Sequence, residues 1–364
     1  MSEVPRTAPK PPVRVMIVED SLVVRGLLAH IVSRDPRLAL AAVVETGEEA
    51  VREVHRVRPD VISMDIRLPG MDGLEATRRI MSERPTPIVV IAGSVEDGAL
   101  SISMNALRAG ALSVVEKPVG LASAGYEAIA QSICTQLYIM SQVPVIRRRN
   151  MSGDRPSERG PDRQPVFREG DNPARRPSLI AIAASTGGPP ALAKVLGALP
   201  RDFPIPVLLV QHMGAPFMQG FANWLDGVTT LGVEIARHGE PPRPGRVYVA
   251  PGDRHLRVGR DGAMLVGGDA PIGGQRPSAT ALFASLAETI GPRSLGVLLI
   301  GMGEDGARGL LALREAGGFA ITEDETTAVV FGMPGAAARM GASSVALPLD
   351  LIAPRLLRAV KGEE

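Results

Sequence analysis

A hydroxyl, an imidazole and a carboxylate occupy comparable places in the second half of this chain: Ser185, His212 and Asp305 each lie just beyond an apolar run of strand length. Ser185 follows Leu179–Ala184 and opens the turn Ser185-Thr186-Gly187-Gly188, which passes through Pro189-Pro190 into a helix-like run from Ala191 to Leu196. A hydroxyl at a strand-to-helix turn stands beside the free N–H groups of the helix N-terminus, which favour anions. Proline is tolerated in a first helical turn, and neighbouring glycines let a substrate or another backbone come close. A nucleophilic serine is commonly presented this way, although the G-x-S-x-G elbow is absent. The same residues would suit a phosphate-binding turn or a plain connection, so the stretch alone leaves three readings open.

The elements around it narrow the choice. Leu179 to Ile182, Val207 to Val210 and Gly296 to Ile300 predict buried strands of a parallel sheet. In such a sheet the loops after the strands open on one edge. Ser185, His212 and Asp305 then meet there as nucleophile, general base and orienting carboxylate, a set defined by geometry and not by chain order. The chain has five histidines. His30 and His55 fall on predicted helices of the first domain and His238 in a polar turn. His255, in the loop APGDRHL, is the rival for the base; His212 is favoured because its position mirrors that of Ser185. Gly301 to Gly306 also reads as a literal G-x-G-x-x-G between a strand and the predicted helix Ala307 to Ala316, with acids near Glu323 about 20 residues on, the pattern of a dinucleotide site. Against that, Glu304 and Asp305 would put two carboxylates beside a pyrophosphate. The pair suits helix capping and the orientation of a histidine.

The first part of the chain carries a second cluster. Strands are predicted at Val13 to Asp20, an apolar run ending in two acids, and at Leu40 to Val44, Val61 to Met64, Ile88 to Ile91 and Ser113 to Val115, with helices at Leu22 to Ser33, Glu48 to Val57 and Gly98 to Ala109. This alternation indicates a doubly wound parallel sheet. Glu19, Asp20 and Asp65 fall at its carboxyl edge, and Lys117 follows its last strand. Gathered carboxylates repel one another unless a cation is present, and oxygen ligands suit Mg²⁺. A carboxylate in that setting, with an ammonium beside it, can accept a phosphoryl group.

On Glu19-Asp20, Asp65 with Pro69-Gly70-Met71-Asp72-Gly73, Ala109-Gly110-Ala111 and Lys117-Pro118, the region resembles the response-regulator receiver domain. The resemblance implies that Asp65 is the phosphoacceptor, that Glu19, Asp20 and Asp65 hold Mg²⁺, and that Lys117 contacts the phosphoryl group. A histidine kinase of a two-component system would be the phosphodonor. Receivers usually place a Ser or Thr after the fourth strand, where this chain has Ala92, and an aromatic switch residue where it has Val114. The usual two-residue switch therefore cannot operate unchanged; Ser94 is a candidate substitute.

The second domain resembles the chemotaxis protein-glutamate methylesterases (the CheB family). The matching pieces, in order, are Ala184–Pro189, Val210–Met213, Tyr248–Leu256, Arg276–Ser278, Gly301–Gly309 and Thr327–Ala337. The resemblance implies Ser185 as nucleophile, His212 as base and Asp305 as its carboxylate. It implies hydrolysis of glutamyl methyl esters, and glutamine deamidation, on methyl-accepting chemoreceptors. Backbone N–H groups of Thr186 and Met302 are candidates for the oxyanion hole. Gln275 stands where the family usually has a histidine. An unphosphorylated receiver would cover the active-site edge, and phosphorylation of Asp65 would lift it. Two other readings are a receiver-controlled binding protein with a vestigial or non-chemotaxis esterase domain, and a dinucleotide-dependent oxidoreductase.

Composition agrees with this outline. With 364 residues, two domains are expected: a receiver at 13–120, a linker at 121–177 and a catalytic domain at 178–364. Both domains are expected to be α/β with doubly wound parallel sheets, the second Rossmann-like. Tyr126 to Met140 predicts a helix within the linker, and Arg147 to Pro177, rich in charge and proline, a disordered segment. A net charge of +1 argues against nucleic acid as a partner. Cys134 is the only cysteine, which excludes an intramolecular disulfide or a cysteine-based zinc site. No signal peptide or membrane-length apolar run is evident, so a cytoplasmic protein is expected, with no cofactor for the esterase.

Overall fold

The computed structural model describes residues 11–92, 109–111, 113–118, 126–142, 175–328 and 330–361. Nearly all of the predicted helix at 98–109, Ser94 and most of the 147–177 segment lie outside those residues. The chain divides into two compact units, Met1–Arg149 and Asn150–Glu364.

In the first unit β1 (Val13–Val18), α1 (Leu22–Arg34), β2 (Leu38–Val44), α2 (Gly47–Val57), β3 (Val61–Met64), α3 (Gly73–Glu83), β4 (Ile88–Ala92), β5 (Ser113–Glu116) and α4 (Tyr126–Met140) follow in order. The strands form one parallel sheet, β2-β1-β3-β4-β5. Side chains alternate across a strand, and the two helical layers divide them accordingly. Val15, Ile17, Val89 and Ile91 pack with Leu28 and Ile31 of α1 and with Ile133 and Leu137 of α4. Met16, Val18, Ile62 and Val90 pack with Val54 of α2 and Ile80 of α3. Ser21, Thr46 and Asp72 cap α1, α2 and α3 by accepting the N–H groups of Val24, Glu49 and Glu75. The helix expected inside the linker is α4. It spans the predicted residues but belongs to the first core, because its apolar face is the cover that one side of the sheet lacks.

The second unit comprises β6 (Leu179–Ala184), α5 (Gly188–Gly197), β7 (Val207–Gln211), α6 (Ala215–Val228), β8 (Gly232–Ile235), β9 (Arg246–Val249), β10 (His255–Val258), β11 (Met264–Gly267), α7 (Ala279–Thr289), β12 (Ser294–Leu298), α8 (Ala307–Glu315), β13 (Phe319–Glu323), α9 (Met333–Arg339), β14 (Val345–Leu347) and α10 (Leu349–Lys361). Seven strands make a parallel sheet in the order β14-β13-β12-β6-β7-β9-β8, and β10 and β11 form a separate antiparallel pair. β12 ends two residues before the predicted strand end, yet its pairing with β6 continues: Leu299 N–H donates to Ala183 O at 2.9 Å and Ser185 N–H to Ile300 O at 3.0 Å. The strand β6 lies between β12 and β7, so the chain leaves it to one side and later returns on the other. Ligand crevices of open α/β sheets form at such switch points, beyond the strands' carboxyl ends.

The helix α7 packs against β12, β6 and the helix α8. Its Phe283 is fully buried and lies over Gly296, Gly306 and Gly309, where added Cβ atoms would come within 3.4, 3.3 and 3.0 Å of it. Phe283→Ala should therefore destabilise the second unit by about 3–5 kcal/mol, through lost transfer energy and the cavity left behind. Urea unfolding of the full chain reads this, and a loss below about 1 kcal/mol would show that this packing does not anchor α7.

Candidate active site

Ser185 is reached by a buried, wholly apolar strand, β6. The turn that follows needs glycine twice for different reasons. Gly187 has φ +82° and serves as the N-cap of α5, whose Pro189 and Pro190 fall in the first turn. Gly301, on the neighbouring loop, lies so close that a Cβ there would sit 2.7 Å from Ser185 Cβ and 2.4 Å from Met333 Sδ. The turn is also tied from the other side. Gln211, at the end of β7, donates its side-chain amide to Ser185 O at 2.9 Å and to His212 O at 3.0 Å. Thus one buried amide links the backbone of the serine to that of the histidine.

His212 follows Gln211, and its N–H donates to Ala184 O at 3.1 Å. Its Nε2 donates to Asp305 Oδ2 at 2.9 Å, and both side chains are largely buried, 8% and 6% exposed. The other ring nitrogen, Nδ1, is buried and has no hydrogen-bond partner among the described residues. With the proton on Nε2, Nδ1 is an acceptor. Three further groups hold Asp305: Ser278 Oγ donates to Oδ1 at 2.7 Å, Thr280 N–H to Oδ1 at 3.1 Å, and Ala279 N–H to Oδ2 at 2.7 Å. Burial pushes the carboxyl up, but the hydrogen bonds from His212, Ser278 and Thr280 outweigh it and hold Asp305 at about 2. Asp305 is thus an anion poised to stabilise a charged His212.

Ser278 and Thr280 carried no assigned role in the sequence, although a serine before the apolar run of α7 is an N-cap signature. Ser278 is that cap, accepting Ala281 N–H at 3.3 Å. The capping expected of the Glu304-Asp305 pair falls on α7, not on the following helix α8. That helix begins at Gly306 with no side-chain cap.

His255 is fully buried and bonded through both ring nitrogens, to Ala270 O and Ser278 N–H. It is therefore placed behind Asp305 and closed to substrate. Glu323, the acid of the dinucleotide reading, is also buried: it accepts Ile300 N–H at 2.8 Å and the Thr327 hydroxyl at 3.1 Å, and burial pushes its carboxyl up. Its place under the strand end leaves it unable to meet a ribose. Met302 is 53% exposed at the tip of the Gly301 loop, while Gly301 O accepts the N–H groups of Gly332 and Met333 at 3.0 and 2.9 Å. Gln275 is half-buried in a tight turn, exchanging both backbone hydrogen bonds with Ile272 at 3.1 and 3.0 Å.

In the first unit the switch point lies between β1 and β3, and the expected groups converge there. Glu19, Asp20 and Asp65 present carboxylate oxygens within 4.8 Å of one another. Lys117 Nζ lies 2.9 Å from Asp65 Oδ2 and 3.0 Å from Glu19 Oε2. Burial, and then the charge of Asp65, push Glu19 up in spite of Lys117. Burial pulls the Lys117 ammonium down, but its two carboxylates more than compensate and raise it. Glu19 Oε2 is buried and lacks a well-directed hydrogen bond among the described residues. An all-oxygen donor set with an under-satisfied buried oxygen fits a hard divalent cation such as Mg²⁺. Ala92 is buried at the end of β4, its carbonyl accepting Lys117 N–H at 2.8 Å, so no hydroxyl is offered from that position.

Residues 180–356 match the family model of the CheB methylesterase, and residues 15–124 that of the response regulator receiver domain. The protein-glutamate methylesterase/protein-glutamine glutaminase 2 of Paramagnetospirillum magneticum is 51% identical over 97% of this chain and 99% of its own length. The corresponding protein 4 of Myxococcus xanthus is 44% identical over 96% and 98%. Among solved structures, the Thermotoga maritima CheB methylesterase catalytic domain aligns with 50% of this chain and 98% of its own, at 36% identity and a TM-score of 0.49. With both domain models matched in tandem and relatives aligned over nearly its full length, the chain belongs to the protein-glutamate methylesterase/protein-glutamine glutaminase family.

Proposed function

We propose that this protein hydrolyses glutamyl methyl esters, and deamidates glutamines, on chemoreceptor proteins, under control of phosphorylation at Asp65. The observation that supports the esterase reading is the buried His212–Asp305 pair, which leaves Nδ1 without a hydrogen-bond partner among the described residues, on a backbone tied to that of Ser185 through the Gln211 amide. Nε2 is committed to Asp305, so Nδ1 is the atom left to take the serine proton. Ser185 Oγ attacks the side-chain carbonyl of the ester while Nδ1 accepts that proton. The oxyanion is held by the backbone N–H groups proposed for it, those of Thr186 and Met302. Collapse breaks the C–O bond and methanol leaves with the proton from Nδ1. Water then attacks the acyl-enzyme, giving its proton to Nδ1, and glutamate departs as Ser185 is re-protonated. With glutamine the leaving group is ammonia. Asp305, ionised throughout the working range, offsets the charge on His212 in both halves.

In the first unit, Asp65 is the proposed phosphoacceptor. Glu19, Asp20 and Asp65 would hold Mg²⁺, which supplies charge neutralisation at the transferring phosphoryl group. Lys117, already paired with Asp65, is placed to pair with the phosphoryl oxygens. The phosphodonor is a histidine kinase. Because Ala92 has no hydroxyl, the signal reaches the esterase by a route other than a hydroxyl shift at that position.

Ser185→Ala should lower methanol release from methylated receptor membranes on the order of 10⁴-fold or more, while Asp65 remains open to phosphorylation; retained turnover would sink the esterase assignment. Asp65→Ala should leave basal methanol release in place and abolish its stimulation by a small-molecule phosphodonor with Mg²⁺. Stimulation that survives would place the acceptor elsewhere. Asp305 also predicts a pH dependence of stability. Its folded value, about 2, lies below the ordinary 3.8, so its contribution is complete above the ordinary value and is lost as pH falls through the folded one. The gap in unfolding free energy between wild type and Asp305→Asn should narrow by about 2 kcal/mol between pH 6 and pH 2. Denaturant titrations at several pH values read it, and a constant gap would contradict it.

A further inference from the structure

We propose that His255 is a positioning residue of the esterase site, holding Asp305 in register with His212 by way of Ser278. The residue opens β10 and is fully buried, so it touches neither substrate nor solvent. Its ring nitrogens have distinct partners. Nε2 faces the carbonyl of Ala270 at 3.0 Å, which can only accept, so Nε2 carries the proton. Nδ1 faces Ser278 N–H at 3.2 Å, which can only donate, so Nδ1 is the acceptor. The imidazole is therefore read as one neutral tautomer. It joins two points of the chain on either side of the exposed turn at Ile272–Gln275.

The Ser278 end of that link reaches the chemistry in one step. Ser278 Oγ donates to Asp305 Oδ1 at 2.7 Å and accepts Ala281 N–H at 3.3 Å, so both roles of the hydroxyl are taken. Its direction then depends on where the Ser278 backbone sits, and that backbone is held by His255. The next residue, Ala279, gives its N–H to the same Asp305 oxygen that receives His212. A displaced Ser278 would therefore turn the carboxylate away from the imidazole. Partners of this kind behind a reacting group are often worth 10–100-fold in activity. The loss falls on kcat and not KM, because His255 is fully buried with both ring nitrogens engaged inside the chain.

The inference rests on the esterase reading, and the experiment separates the two. In the full chain, methanol-release kinetics are measured for H255Q, H255N, S278A and the double variant H255Q/S278A, with S185A alongside. Asn places its oxygen near Nδ1 and keeps the acceptor for Ser278 N–H; Gln reaches toward Ala270 and does not. H255Q should lose roughly 10–100-fold in kcat with KM within twofold, and H255N should stay within about fivefold of wild type. H255Q/S278A should fall by clearly less than the product of the two single losses, because both act on the same hold of Asp305. Wild-type kcat in H255Q, or losses that multiply in the double variant, would overturn the proposal. Should H255Q fail to fold, H255N decides: a folded H255N that loses more than tenfold in kcat would overturn it. Full turnover in S185A would remove the esterase reading itself. A dead S185A beside an unaffected H255Q removes only the role of His255.

Discussion

The catalytic unit depends on a carboxylate at the start of a helix that is not its own. Asp305 belongs to the loop before α8, yet it takes the N–H groups of Ala279 and Thr280 and the hydroxyl of Ser278 at the start of α7. Those donors are among the groups a helix N-terminus leaves unpaired, and they favour a negative charge. They do two things together. They keep Asp305 ionised despite its burial, and they leave one oxygen aimed at His212. Ser185, by contrast, is placed almost wholly by backbone: its N–H by Ile300 O, its carbonyl by Gly188 N–H and the Gln211 amide.

The same architecture serves both chemistries. Each unit has a parallel sheet with a switch point, and each set of reactive groups stands at the carboxyl ends of the strands beside it. What differs is the charge balance. In the second unit one buried anion is met by polar hydrogens and an imidazole. In the first, the acids crowd together, and among the described residues Lys117 is the cation paired with them; burial raises Glu19 even so. Such an arrangement favours the arrival of a cation, whereas in the second unit the donors around Asp305 already compensate its charge.

Ala92 breaks the likeness to an ordinary receiver at the point where a phosphoryl group would meet a hydroxyl. The backbone there is retained, with the Ala92 carbonyl holding Lys117 N–H. Thus Asp65 and Lys117 remain paired while position 92 offers no hydroxyl. The contrast separates capture of a phosphoryl group, a matter of charge, from the response to it, a matter of packing.

Much was legible in the linear pattern. Apolar runs of strand length located β1, β3, β6 and β7 to within two residues, and the residue types just past their ends located Ser185, His212, Glu19, Asp20 and Asp65. The linear pattern determined these because strand burial is local and the edge of a parallel sheet follows from strand direction. Other features were decided only by the tertiary structure. Asp305 caps a helix 26 residues earlier in the chain, and neither partner's neighbours announce the other. His255 could be read as a base until both its nitrogens were found engaged, and Glu323 as a ribose ligand until it was found beneath Ile300. The helix α4 looked like linker because its apolar face is covered only outside the helix, by Val115 just before it and by α1 and strands β1 and β4 further back in the chain. In each case the deciding term is a hydrogen bond or an apolar contact between distant segments, and such a term exists only once the chain has closed on itself.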